Sequence, residues 1–267
     1  VTAAAGTRPG PTADDAPLGP AVHDRLVRRQ TEVLELLASG APLAAVLAAV
    51  AHALEGLIPG SRCSILLLDR ERDVLVHGAA PSLPPAYTAA IDGMAVGPDA
   101  GSCGTAAHLG RPVVATDIDL DPRWHAFRDI ARPHGMRSCW SSPIRGLGGV
   151  LGTFAVYHDE PHRPDGGEEQ LVGRFTHLAS VAIEHAELFG ALAESEERFR
   201  RAFEDNPIGM ALTRLDGTIV KANRALTKLL GHGDADLLGS TLSDLMTPEA
   251  TTAEDPRARP GTSIPDL

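Results

Sequence analysis

Residues 100–144 read AGSCGTAAHLGRPVVATDIDLDPRWHAFRDIARPHGMRSCWSSPI, and the rest of the chain is arranged around them. Ser102 stands where a cap would open a short helix of small residues, which Gly110 closes. Residues 113–115 read as a buried strand, and Asp121 followed by Pro122 opens another helix that Pro133 and Gly135 end. The stretch holds two of the three cysteines and both tryptophans. Such a patchwork of short elements suits a pocket wall.

Working outward toward the N-terminus, Pro84 and Pro85 start a short helix that Gly93 ends. Residues 63–68 are a nearly unbroken apolar run, 69–73 a charged turn, and 74–76 resume, the pattern of a hairpin in a central sheet. Leu43, Val46, Leu47, Val50, Leu54 and Leu57 recur at three and four residues, so they share one helix face, closed by Pro59 and Gly60. Residues 21–38 form a further helix with Leu26, Val33, Leu36 and Leu37 as packing positions. Residues 1–19 are Ala, Pro, Gly, Thr and Asp without apolar periodicity, and a disordered leader is expected there.

Toward the C-terminus, 136–144 and 150–157 are the last two strands of the sheet, joined by a glycine-rich turn. Alternation in the second places Val150, Phe154 and Val156 on one face and Leu151, Thr153, Ala155 and Tyr157 on the other, so both faces are covered. From Glu168 there is no proline until Pro207, and Leu171, Phe175, Leu178, Ala182, Phe189, Leu192, Phe199 and Phe203 fall on a heptad seam, with His185 and Glu196 as its polar members. One continuous helix would be roughly 50 Å long at 1.5 Å per residue, and one small domain cannot stabilise it alone. A parallel dimer seam is the expectation, two core helices broken at Gly190 the alternative. Residues 208–215 and 218–222 alternate around Asp216 and Gly217, a strong hairpin turn, Asn223 caps the next helix, and 234–238 add one more helical turn. After Thr247 the chain is loop-like without a strand pattern, and a second domain cut short is expected.

The 267 residues, 43% hydrophobic, suffice for one ordinary domain and part or all of a second. A net charge of -11 with unclustered basic residues argues against nucleic acid or an anionic membrane surface as partner. Cys63, Cys103 and Cys139, an odd number without CxxC spacing, signal neither a disulfide framework nor a zinc site. With no secretory start and no apolar span, a cytoplasmic location is expected. His158, His162 and Asp165 in HDEPHRPD have a spacing that could meet a metal, but a Pro-rich loop offers no fixed geometry, so a solvated loop is the reading here.

GSCGTAA at 101–107, DIDLDPRW at 117–124, HGMRSCWSSPI at 134–144 and GGVLGTFAVY at 148–157 together resemble, in order and spacing, the GAF domains of bacterial signalling proteins, the subtype found with PAS, GGDEF/EAL and histidine kinase modules. SEERFRRAFEDNPIGMALTRLDGTIVKANRALTKLLGH, from Ser195, is similar to the opening of a PAS domain. The resemblance implies an α+β fold with a GAF-type antiparallel sheet flanked by helices, a long connecting helix and a partial PAS-like α/β segment. The implied division is 1–19 leader, 20–190 GAF domain, 191–204 signalling helix linker and 205–267 truncated PAS domain with a loop-like tail.

GAF domains hold a small molecule between the sheet and this middle stretch, so Cys103, Trp124, Arg128, Arg137, Cys139 and Trp140 are the implied ligand-binding candidates. The resemblance also implies a homodimeric, small-molecule-sensing regulatory module without output catalysis, its ligand and cofactor unidentified. Cys103 at a helix N-terminus suits a redox-sensing thiol. The GAF-fold enzyme free methionine-R-sulfoxide reductase also carries a CGTA word, as here at 103–106. That enzyme needs further cysteines before and after it, at places that hold none here, and Cys139 lies too far along. A bilin cysteine is absent around Ala126 and Phe127, and so is the lysine-containing signature of cyclic-nucleotide GAF domains. Haem on His77, His108, His125 or His134 stays open, because one imidazole suffices. A scaffold that binds nothing is a further alternative.

Overall fold

The computed structural model describes residues 19–231, 233 and 237–241, which fall into two compact units divided between Leu188 and Phe189. Most of the expected leader, the tail after Thr247 and the first part of the turn at 234–238 lie outside the described residues.

In the first unit six strands form one sheet, ordered β3-β2-β1-β6-β5-β4, with every neighbouring pair antiparallel. They are β1 (Arg62–Asp69), β2 (Val74–Ala79), β3 (Met94–Ala95), β4 (Val113–Ala115), β5 (Ser138–Gly146) and β6 (Gly149–His158). The apolar runs read as strands sit at its centre because both faces are buried. One face meets α1 (Pro20–Ala38), α2 (Leu43–Glu55) and the start of α6 (Gly166–Glu204), around Leu47, Leu54, Ile65, Phe154, Phe175 and Ile183. Each such side chain contributes about 1.5–3 kcal/mol on full burial. The other face meets α3 (Pro85–Ile91), α4 (Gly101–Leu109) and the segment 117–137.

Three local expectations need correcting. Opposite Ile144 and Arg145 stand Gly152 and Val150, so Leu151 is the extra residue of a bulge. It joins the face of Phe154 and Val156, while Val150 packs with Ala155 and Tyr157. The extra residue reverses the alternation read from the sequence. Next, the helix expected after Asp121 is three short pieces, a 3-10 turn at Pro122–Trp124, α5 (Arg128–Ala131) and a 3-10 turn at Arg132–His134. The Arg128 guanidinium holds the bend, donating to Ile118 O at 3.1 Å and Asp121 O at 2.8 Å. Finally, Leu36 in α1 is exposed, while Leu26 and Val33 are buried as expected.

The helix α6 runs for 39 residues without a break at Gly190, about 58 Å at the standard rise. Leu171, Phe175 and Ala182 of its seam are buried in the core of the first unit, with Leu178 packed against it. Leu192 and Phe199 are 56% and 50% exposed. The seam is therefore two surfaces in series, one already used.

In the second unit β7 (Ala211–Thr213) pairs with β8 (Ile219–Ala222) across the Asp216-Gly217 turn. Gly217 has φ 85, and Asp216 Oδ1 accepts from Thr218 N at 2.9 Å. Asn223 caps α7 (Arg224–Leu230), its Oδ1 accepting from Leu226 N and Met210 N. Its Nδ2 donates to Phe203 O and Ile208 O, so one buried amide ties helix, strand and loop together. No helix among the described residues is long and apolar enough to cross a membrane.

Candidate functional site

Adjacent residues of a strand point to opposite faces, and this sorts the six sequence candidates. Cys139 of β5 faces α4 and the segment 117–137, where Cys103 and Trp124 are also buried. Trp140 faces the other way, into the core with α2 and α6. The structure thus brings Cys103, Trp124 and Cys139 together and leaves Trp140 outside.

Arg128 and Arg137 serve the segment itself. Arg137 pairs with Asp117 at 3.2 Å and Asp119 at 3.6 Å, and Arg132 pairs with Asp119 at 2.7 Å. The hydrogen bond from Arg132 holds the Asp119 carboxyl below its usual range. These pins fix a segment that has little regular structure to order it.

Ser102, expected as a cap, lies inside α4, whose N-cap is Ala100, and is fully buried. Its hydroxyl donates to Cys139 O at 3.2 Å and accepts from Trp124 Nε1 at 3.0 Å, joining helix, strand and segment. Its partners are 22 and 37 residues away, so local reading could not find it. Gly101 at φ 58 begins the helix, with Trp124 and Phe127 carbons 3.6–3.7 Å from where a Cβ would stand.

Around Cys103 the buried side chains are partly polar. Tyr157 Oη lies 3.8 Å from its Sγ and 3.2 Å from Ser64 Oγ, and the Tyr87 ring meets Tyr157 edge-on at 5.9 Å. The hydrogen bond from Cys139 lowers the Cys103 thiol to about 7 against the opposing effect of burial, with Ser141, Tyr157 and Thr153 helping. Burial pushes Cys139, Tyr87 and Tyr157 up. Ser141 Oγ and Thr153 Oγ1, fully buried on this same face, lie close enough to the Cys103 sulfur to lower its pKa but make no hydrogen bond of good geometry. Two orphaned hydroxyls beside a polarised thiol are what a ligand or an ordered water would satisfy. The sequence signal for them was the strand period, since Ser141 is two residues from Cys139 and Thr153 four from Tyr157.

Of the histidines kept open for haem, His77, His108 and His125 are exposed, and only His134 reaches this compartment, with its ring edge-on to Tyr87 at 5.8 Å.

A second cluster lies on the other face. His158 at the end of β6 is 7% exposed, its ring centroid 4.0 Å from that of His162. His162 Nε2 lies 2.9 Å from Glu168 Oε2. Asp165, the acid expected there, is instead half of a capping box: Glu168 N donates to Asp165 Oδ1 at 2.8 Å, and Asp165 N to Glu168 Oε2 at 3.0 Å. His162 N donates to Thr116 O at 3.0 Å, so the loop has the fixed geometry that its prolines seemed to deny.

A family model described as a GAF domain matches residues 28–184, and one described as a PAS fold matches 197–258. The chain is 36% identical over 228 residues to the methyl sulfide methyltransferase-associated sensor of Methanosarcina acetivorans, covering 85% of this chain and 23% of that protein. It therefore spans about a quarter of that relative's length. The GAF domain of an Acinetobacter phosphoenolpyruvate-protein phosphotransferase superposes with TM-score 0.52 at 18% identity, covering 65% of this chain and 99% of that one. The free methionine-R-sulfoxide reductase of Neisseria meningitidis superposes with TM-score 0.50 at 20% identity, covering 62% and 90%. At such identities the superpositions show the fold.

Proposed function

Since the chain belongs to the GAF domain family and carries a PAS fold after it, we propose that it is a sensing module whose small-molecule ligand enters the compartment of Cys103, Ser141, Thr153 and Tyr157. The observation that carries this reading is the pair of buried, unpartnered hydroxyls, Ser141 Oγ and Thr153 Oγ1. A ligand bearing a hydroxyl, carbonyl or amide would satisfy both. Trp124, Arg128 and Arg137 act on this reading as positioning residues of the wall, Cys103 and Cys139 as lining, and Trp140 has no part in it.

The division follows the sequence reading, with 20–190 as sensor, 191–204 as signalling helix and 205–267 as the PAS part. Ligand state would change how the segment 117–137 and α4 press on the sheet, and α6 starts from the opposite face of that sheet. Leu192 and Phe199, half exposed on one helical seam, suit a second copy of the chain, through which the change would pass to an output domain. The module works inside the cell and without catalysis of its own. The sensor named among its relatives supports the sensing role, and the reductase likeness speaks to fold alone.

Native mass spectrometry of the purified chain, with an absorption spectrum of the same sample, tests the reading. A dimer carrying a small-molecule adduct is expected, and a haem band would identify that ligand. Bare protein whose melting temperature no compound of a metabolite library raises would overturn it.

A further inference from the structure

The geometry points to a divalent transition-metal site of the zinc class built from His158, His162 and Glu168, where the last strand of the sheet meets the first turn of α6. One ligand atom from each of the three lies within 4.8 Å of the others. The 2.9 Å between His162 Nε2 and Glu168 Oε2 is close to the about 3.3 Å edge of a tetrahedral ion with ligands at 2.0–2.1 Å. A small cavity of about 10 Å³ adjoins them, lined also by Ile58, Ser138 and Trp140.

Each ligand is held from behind. His158 sits in the ladder at the end of β6, where its carbonyl accepts from Arg137 N at 2.9 Å. His162 is tied through its backbone to Thr116, and Glu168 through its backbone to Asp165. These ties fix the backbone from which each of the three side chains projects. Two imidazoles and one carboxylate favour zinc, cobalt, nickel or copper over magnesium or calcium, which prefer all-oxygen sets. Three protein ligands leave a fourth position for water or a partner group.

The site lies on the face opposite the Cys103 compartment, so it stands or falls independently of the small-molecule reading. An ion there would tie His158 of the sheet directly to Glu168 of α6. That contact would replace the hydrogen bond between His162 and Glu168.

The test is calorimetric titration of the metal-stripped, tag-free full chain with zinc chloride, with magnesium chloride as the control ion. One equivalent of zinc bound, and no magnesium, is expected. His162→Gln and Glu168→Gln should each weaken binding by at least the ~10–100-fold that even an outer supporting residue is worth. The exposed His125→Gln should leave it unchanged. Cobalt(II) added to the unmodified protein gives a reading independent of whether the variants fold. Ligand-field absorption with two paramagnetically shifted imidazole resonances supports the site. No zinc equivalent, binding that both variants retain, or a cobalt complex without imidazole signals would overturn it.

Discussion

Cys103 has its thiol in the first turn of a helix, against a second buried thiol and a phenol. Its folded pKa, about 7, lies below the ordinary 9.0, chiefly through the hydrogen bond from Cys139. The sign follows: the thiolate's contribution to stability is fully present above pH 9 and is lost as pH falls through about 7. Ultraviolet thiolate absorbance should therefore titrate with a midpoint near 7 and lose that step in Cys103→Ser. In Cys139→Ala the midpoint should move up, because the largest lowering cause is gone and burial remains. The orphaned hydroxyls make an opposite kind of prediction. Thr153→Val keeps the shape and removes an unsatisfied group, so the ligand-free protein should become more stable by about 1 kcal/mol, read from urea unfolding. The same variant should bind the small molecule more weakly. A loss of stability would mean that Thr153 Oγ1 is satisfied after all.

At the scale of elements, the sheet was legible because its strands are apolar runs bounded by turns, and the helices because their apolar residues recur at three and four. The bulge at Leu151 was not, since one extra residue in a ladder leaves no mark in composition. The placement of Trp140 was open to the period-2 rule, because residues 139 and 140 of one strand cannot share a face. The polar hub at Ser102 was not, since its partners come from a strand and a turn far along the chain. Gly152 shows what the close approach of β1 and β6 demands: a Cβ there would run into Leu66 O, in backbone that cannot yield cheaply. Gly152→Ala should cost about 3 kcal/mol, the upper end for overpacking, measured by thermal melting. In α6 the two parts of the seam should separate by assay. Phe175→Ala should cost about 3–5 kcal/mol of folding stability. Leu192→Ala and Phe199→Ala should leave stability of the first unit unchanged and weaken self-association, measured by light scattering.

For the molecule as a whole, the family is legible in four words that lie within its first 157 residues, and the identity of the ligand is not. Recognition of a ligand resides in a few side chains from distant segments, whereas the fold is written along every element. The two units should also lose structure separately. Asn223 makes its bonds entirely within the second unit, to Phe203, Ile208, Met210 and Leu226. Asn223→Ala should therefore abolish or lower a calorimetric transition of that unit, by about 3 kcal/mol from several buried bonds lost together. The transition of the sheet-containing unit should stay where it was.

The sheet carries one indole on each side: Trp124 bonded to Ser102 beside the thiols, and Trp140 against the cavity of His158. Because these are the chain's two tryptophans, the protein holds a built-in pair of fluorescent reporters separated by the sheet. With Trp140→Phe the emission follows the thiol compartment alone, and with Trp124→Phe it follows the histidine cluster alone. Copper(II) should quench the second and spare the first, so events on the two sides of the sheet can be read apart in one cuvette.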